Sequence, residues 1–425
     1  MTCQRQALTA CVAAWLTLGI AATASADYVT YWNEIADNTS IFAGGPSIRA
    51  RILAITQLAV HDALNSIEPR YESYTGVPAA NAGASPEAAV AAATYQVLAH
   101  TVATQETVVR AFYDQWIAGL PACPTAHPAC VDDGIAAGEA AANAMLALRA
   151  NDGSATPHLP YTLAPGPGVF QPTPPLLLAP QFAGVAHFTP FVLNSGSQFR
   201  ADPSEIFDLT GEAYTRDYKE VKRVGAAGAE AAGDRTPDQS AIARFWPGGG
   251  SNFNAVTRVI VAGRGLDPWQ HAQLFALGNM AFADSSIAVF DTKYTYNFWR
   301  PITAIRAADT DGNPDTVADP LWLSYIITPP YPDYTCGLTT NTGAAVEVLR
   351  RYFGTDDLPY TFTAAGVTRS FSNLSQAEAE AVDARVFGGI HFRTGCEQGI
   401  RMGEQVGRFV VQHALEPVKK AKKKD

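Results

Sequence analysis

Lys293-Tyr-Thr-Tyr-Asn-Phe-Trp-Arg300-Pro301 sets two cations seven residues apart among four aromatic side chains. At helical spacing they lie two turns apart on one face of a helix. A lysine and an arginine in an apolar setting need anions. The spacing alone favours a plainer account, two surface charges on an amphipathic helix, so the stretch has to be read with its surroundings.

Outward from it, helical signals dominate. Asp267-Pro268 opens a long apolar helix through Ala288, and Phe298–Arg306 continues helically after a short break. Thr339–Phe353, Gln376–Phe387 and Ile390–Leu415 read as helices, the last with Ile390, Ile400, Val406, Phe409 and Val410 inward. Upstream, Ile48–Ile67 has its apolar residues at helical spacing. Ser85-Pro86 starts an alanine-rich stretch of two helices to about Leu120, and Asp132–Arg149 is another. Pro157–Pro203, rich in Pro, Gly and Phe, reads as a long irregular connection, and Pro203-Ser204-Glu205 opens a helix to about Ala231. Few stretches alternate like strands. The expected fold class is all-α, helices packed as bundles.

The ends of the chain bear on compartment. Arg5, an apolar run from Ala7 to Ala22 and Ala24-Ser25-Ala26 make a signal peptide over residues 1–26, and export to the periplasm or medium is expected. Later segments fall short of a membrane span, so the mature chain is expected to be soluble. Residues 27–415 form the helical domain, with an N-terminal part to about 200 and a site-bearing part from about 201. Residues 416–425, with the Lys419–Lys424 run, read as a basic disordered tail. A net charge of −10 argues against general nucleic-acid binding. Nothing points to a nucleotide cofactor, and the oligomeric state is left open.

Two more segments carry chemistry. Ala384-Arg385-Val-Phe-Gly388-Gly389-Ile-His391 breaks one helix at its glycines and lets another begin near His391. Pro332-Asp-Tyr-Thr-Cys336-Gly337-Leu338-Thr339 puts Gly337 just before a helix, where backbone N–H groups are free for an anion. Asp309–Asp315 looks like the start of a calcium loop. It lacks the sixth-position Gly, and Pro320 stands in place of the closing Glu, so a solvated turn is expected.

K-x6-R-P, a glycine loop before a helix and R-x5-H, in that order, resemble the vanadium-dependent haloperoxidase and type 2 phosphatidic acid phosphatase superfamily. Ala59-Val-His61-Asp62-Ala63-Leu64-Asn65, Phe245-Trp246-Pro247 and Gly388–Arg393 look like its soluble bacterial haloperoxidase-like branch. The resemblance runs from about Tyr28 to Val411. It implies helical bundles of the vanadium chloroperoxidase and acid phosphatase type, with vanadate or phosphate held by Lys293, Arg300, Gly337, Arg385 and His391. His391 would bind vanadium axially or attack phosphorus, with Arg385 as its catalytic companion.

The middle motif departs from the family's P-S-G-H, reading Thr335-Cys336-Gly337-Leu338. Leu338 replaces the histidine that would bond the apical oxygen or protonate a leaving group, and Cys336 replaces the serine donor. Gly395 stands where the phosphatase branch has an Asp that orients the histidine. Asp333, Tyr334, Tyr294 and Tyr296 are substitute donors by proximity in sequence, with His61 and His271 more remote.

Four cysteines remain after residue 26 and allow three pairings. Cys123 and Cys130 flank a Pro-rich stretch and are expected to close a small loop, which leaves Cys336 with Cys396. A disulfide there is favoured over a thiolate stabilised by the cations. Three functions follow. One is halide oxidation by peroxide, on vanadate held by His391. The second is phosphoester hydrolysis with His391 as nucleophile. The third is a non-catalytic or repurposed member: an oxyanion-binding or scaffold protein, or an enzyme of different chemistry in the same pocket.

Overall fold

The computed structural model describes residues 27–156, 160–202 and 205–418. The expected signal peptide and the lysine run from 419 lie outside the described residues. Thirteen α-helices occur among them: α1 (Tyr28–Ser40), α2 (Pro46–Ile67), α3 (Pro86–Thr101), α4 (Glu106–Ala118), α5 (Cys130–Leu148), α6 (Glu212–Val224), α7 (Pro237–Phe245), α8 (Phe253–Val261), α9 (Pro268–Tyr296), α10 (Pro301–Arg306), α11 (Gly337–Phe353), α12 (Leu374–Phe387) and α13 (Arg393–His413). Between α11 and α12 sits a hairpin, β1 (Tyr360–Ala364) and β2 (Val367–Phe371), antiparallel with Tyr360 opposite Phe371. No described helix is long and apolar enough to cross a membrane.

Helices α2, α3 and α5 pack on one another, with α1 and α4 against α3. A second group forms from α9, α11 and α13, with α12 against α11. α9 belongs to both groups, touching α2 and α11. Its start is fixed by a capping box, Asp267 bonding the Gln270 N–H and Gln270 reaching back, with Pro268 in the first turn. The α11–α13 contact is backbone-close: a Cβ on Gly403 would stand 2.1 Å from the Thr340 carbonyl oxygen. That approach holds the two helices that frame the site in a fixed register.

The irregular connection is pinned from inside. Asp284, in the middle of α9 and fully buried, accepts the backbone N–H groups of Phe191, Val192 and Leu193 at 2.6, 2.8 and 2.9 Å. Burial raises its carboxyl from 3.8 to about 6, against the pull of those three bonds and of Arg149. The raised folded pKa means that its protonation favours the fold below about pH 4. That contribution disappears as pH rises through about 6. Two units are worth about 3 kcal/mol. Urea unfolding of the parent chain and Asp284→Asn should therefore diverge by up to that amount between pH 4 and 7, the parent losing stability relative to the variant. A pH-independent difference would refute this role.

Several expected boundaries move. The helix expected from residue 203 begins at Glu212, because Asp208 closes a turn by accepting the N–H and hydroxyl of Thr210. It ends at Val224 with Gly225 as its cap. α7 and α8 carry good caps at Thr236 and Asn252, but each is only 9 residues long, too short for a clear period. The loop around residue 311 is an exposed turn, as expected, except at two residues that point inward. Asp311 and Asn313 are buried, Asp311 accepting from Thr316 and Asn313 donating to Leu209 and Thr215.

Candidate functional site

Lys293 and Arg300 do not share a helical face. α9 ends at Tyr296, and Asn297 takes a left-handed conformation (φ 53°) with its N–H on the Lys293 carbonyl. Arg300 is the residue that caps the start of α10. The two cations converge from either side of a break. Arg385 comes from the last turn of α12, and the turn at Gly388 and Gly389 (φ 75°) delivers His391 just ahead of α13. Gly337 opens α11 beside Lys293, whose Cε lies 4.0 Å from the position of a Cβ on that glycine. The distant motif residues thus meet at one place, where Lys293, Arg300, Arg385 and His391 are all buried.

Their bonds divide into used and unused. Lys293 Nζ donates to the carbonyls of Pro332 and Asp333 at 2.8 and 2.7 Å. Burial, with Arg300 nearby, pulls the Lys293 ammonium down to about 7, against the attraction of Asp333. Arg300 Nε donates to the Tyr331 carbonyl at 2.7 Å and Nη1 to the Ile390 carbonyl at 2.8 Å. The Tyr331 ring lies over both cations, 5.3 Å from Nζ and 5.0 Å from the guanidinium carbon. Arg300 Nη2 and Arg385 Nε and Nη1 are buried with no protein partner. Burying such donors unpaired is costly, and an oxyanion is the ligand that answers them.

His391 is held on two sides. Its Nδ1 lies 2.9 Å from Asp333 Oδ1, and Arg300 Nη1 lies 2.9 Å from its Nε2. The arrangement suits a hydrogen on Nδ1 directed at Asp333 and a lone pair on Nε2. Asp333 Oδ1 is also 3.8 Å from Arg300 Nη1, and neither carboxylate oxygen has an aligned hydrogen-bond donor, so its hold on both groups is that of charge. Gly395 explains how Asp333 fits. A Cβ on Gly395 would lie 3.3 Å from Asp333 Oδ2. The carboxylate missing at 395 is supplied from the loop, in the space the glycine leaves. The sequence marked Asp333 only by proximity and as a proton donor; its role toward His391 and that of Tyr331 depend on a loop path no spacing reveals.

The other substitutes lie elsewhere. The hydroxyls of Tyr294 and Tyr334 donate to the carbonyls of Gln181 and Asp202. Tyr296 packs on Phe207 and Tyr334. His61 pairs with Asp62 and His271 with Asp27. Leu338 is half-buried in the first turn of α11 and packs with Ile400 against Cys336, Val382 and Cys396.

The expected Cys336–Cys396 disulfide is not formed: both are free, buried thiols, whereas Cys123–Cys130 is bonded as expected. The two sulfurs and a ring nitrogen of His391 lie within 4.8 Å of one another. Burial alone would push the Cys336 thiol up. Its hydrogen bond with Cys396, together with His391 and Arg385 beside it, outweighs burial and holds it well below the usual thiol value. Burial and that neighbour push Cys396 up.

Fold and site define a helical-bundle protein with a buried cationic pocket closed by a histidine. A family model described as the VCPO second helical-bundle domain matches residues 273–420. Vanadium chloroperoxidase of Curvularia inaequalis is 27% identical over 406 aligned residues, covering 77% of this chain and 66% of that protein. A bacterial vanadium-dependent iodoperoxidase superposes with a TM-score of 0.78 at 24% identity, covering 92% of this chain and 98% of that one. A holo-type bacterial vanadium-dependent chloroperoxidase gives 0.71 at 20% identity, covering 87% and 94%. The chain is a homologue of the vanadium-dependent haloperoxidase family, with that family's phosphatase-related fold.

Proposed function

We propose that the pocket binds vanadate and that the protein oxidises a halide with peroxide. The observation that carries this reading is the set of three buried, unpartnered guanidinium donors on Arg300 and Arg385 in front of His391. These donors fit a tetrahedral oxyanion in number and charge. Lys293 adds a further positive group behind them, with Gly337 at the adjoining helix start. His391 Nε2, which accepts from Arg300 Nη1, would turn its lone pair to the oxyanion as that guanidinium does, with Asp333 flanking the Nδ1 edge of the ring. Bound vanadate would supply the Lewis acidity that activates peroxide toward a halide. Leu338 has no proton to give where the family places an acid, so turnover is expected to be slow. The apolar leader and the Cys123–Cys130 bridge support export.

Calorimetric titration of the full chain with vanadate tests the pocket. Binding is expected, competed by phosphate. Asp333→Asn should weaken it ~10–100-fold by releasing the ring, and His391→Ala by more, because it removes the ligand itself. Unchanged affinity in His391→Ala would overturn the assignment.

The Asp333–His391 contact favours a second reading, phosphoester hydrolysis with His391 Nε2 attacking phosphorus. Without an acid at 338, only esters with good leaving groups would turn over. Release of p-nitrophenol but not of an alkyl alcohol from the matching phosphates is its signature. Vanadate binding with neither activity would leave the pocket as an oxyanion binder.

A further inference from the structure

We propose that Cys336 and Cys396 form a peroxide-reducing dithiol, with Cys336 as the sulfur that peroxide oxidises and Cys396 as its resolving partner. This shares the pocket described above but needs neither vanadate nor halide. Geometry carries it. Both sulfurs are buried and close to each other and to His391, and they remain separate. The backbones around them are tied, with the Cys336 N–H on the Gly395 carbonyl at 3.1 Å. The sulfurs therefore face each other across a fixed seam between the start of α11 and the first turn of α13. Cys336 caps α11, at the positive end of its dipole, and Arg385 stands beside it with two unpartnered N–H groups. Both sulfurs are fully buried, under the partly exposed Gly337, Leu338 and Ile400, so a small oxidant such as hydrogen peroxide suits them better than a bulky hydroperoxide.

The chemistry balances without another reactant. The Cys336 sulfur attacks one peroxide oxygen, forming an S–O bond and breaking O–O. The departing hydroxide takes a proton and leaves as water, and Cys336 becomes a sulfenic acid. The Cys396 sulfur then attacks that sulfur, S–S forms, S–O breaks, and the hydroxide leaves with the Cys396 proton as a second water. Two thiols are oxidised and one peroxide is reduced. A second turnover needs an external dithiol.

The test uses the full chain, reduced and free of vanadate, with one equivalent of hydrogen peroxide. The expected result is one peroxide consumed per chain, a Cys336–Cys396 link found by peptide mapping, and recovery of both thiols with dithiothreitol. Cys396→Ser should stop at a dimedone-reactive Cys336, and Cys336→Ser should consume peroxide at least about tenfold more slowly. Cys336 oxidised no faster than in the urea-unfolded parent chain would overturn the proposal. So would thiols protected by zinc or copper(I) retained through purification. Vanadate binding, measured separately, tells the two readings apart. Binding without thiol oxidation removes only the dithiol, and thiol oxidation without binding removes only the vanadate pocket.

Discussion

Leu338→His is expected to raise peroxide-dependent halide oxidation by ~10²–10⁴-fold, the range a positioned general acid supplies. Position 338 lies in the first turn of α11, one residue past Gly337, and its side chain is half-buried against Cys336, Val382 and Cys396. An imidazole there would bring a proton to give beside Gly337. The oxyanion contacts proposed for Lys293, Arg300 and Arg385 come from other elements and would be left in place. The gain should therefore appear in kcat, measured as bromide or iodide oxidation on vanadate-loaded protein, with little change in vanadate affinity. An unchanged kcat would mean that Leu338 is not what limits turnover, and the reading of the site as a haloperoxidase short of one acid would fall.

Arg300→Ala should damage fold and site together. The guanidinium is fully buried and holds three acceptors on two segments: the Tyr331 carbonyl on one, the Ile390 carbonyl and the His391 ring on the other. Its removal leaves those groups and the Asp333 carboxylate without their cation, a loss on the order of 3–5 kcal/mol. Arg300→Lys is no cure, since an ammonium cannot fork toward Tyr331 and Ile390 at once. Denaturant unfolding gives the stability loss, and vanadate titration of the folded fraction should show binding abolished. A stability change within about 1 kcal/mol would show that water replaces these bonds readily.

The bundle architecture was legible because its long helices carry caps and periods in the sequence. The box at Asp267 and the Ser85-Pro86 start fall where the helices begin. The hairpin and the helices at Pro237 and Phe253 were not, because segments of five to nine residues give little periodicity. In the site, the four cationic and imidazole side chains were visible as ordered motifs, and the structure brings them together. Their local geometry was not visible. Seven residues between Lys293 and Arg300 suggested one helical face, yet Asn297 turns the chain between them. Cys336 and Cys396 were marked as neighbours, but their protonation depends on Arg385 and His391, which arrive from other elements.

The place of Asp333 against Gly395 has a consequence for how such a site changes by substitution. An aspartate restored at 395 would begin its side chain 3.3 Å from the existing Asp333 oxygen, so the two carboxylates compete for one space. Holding both would require the Asp333 carboxylate to give by a few tenths of an ångström and would set two like charges side by side in a buried place. The glycine therefore gives the loop carboxylate room that a helix-borne acid would contest.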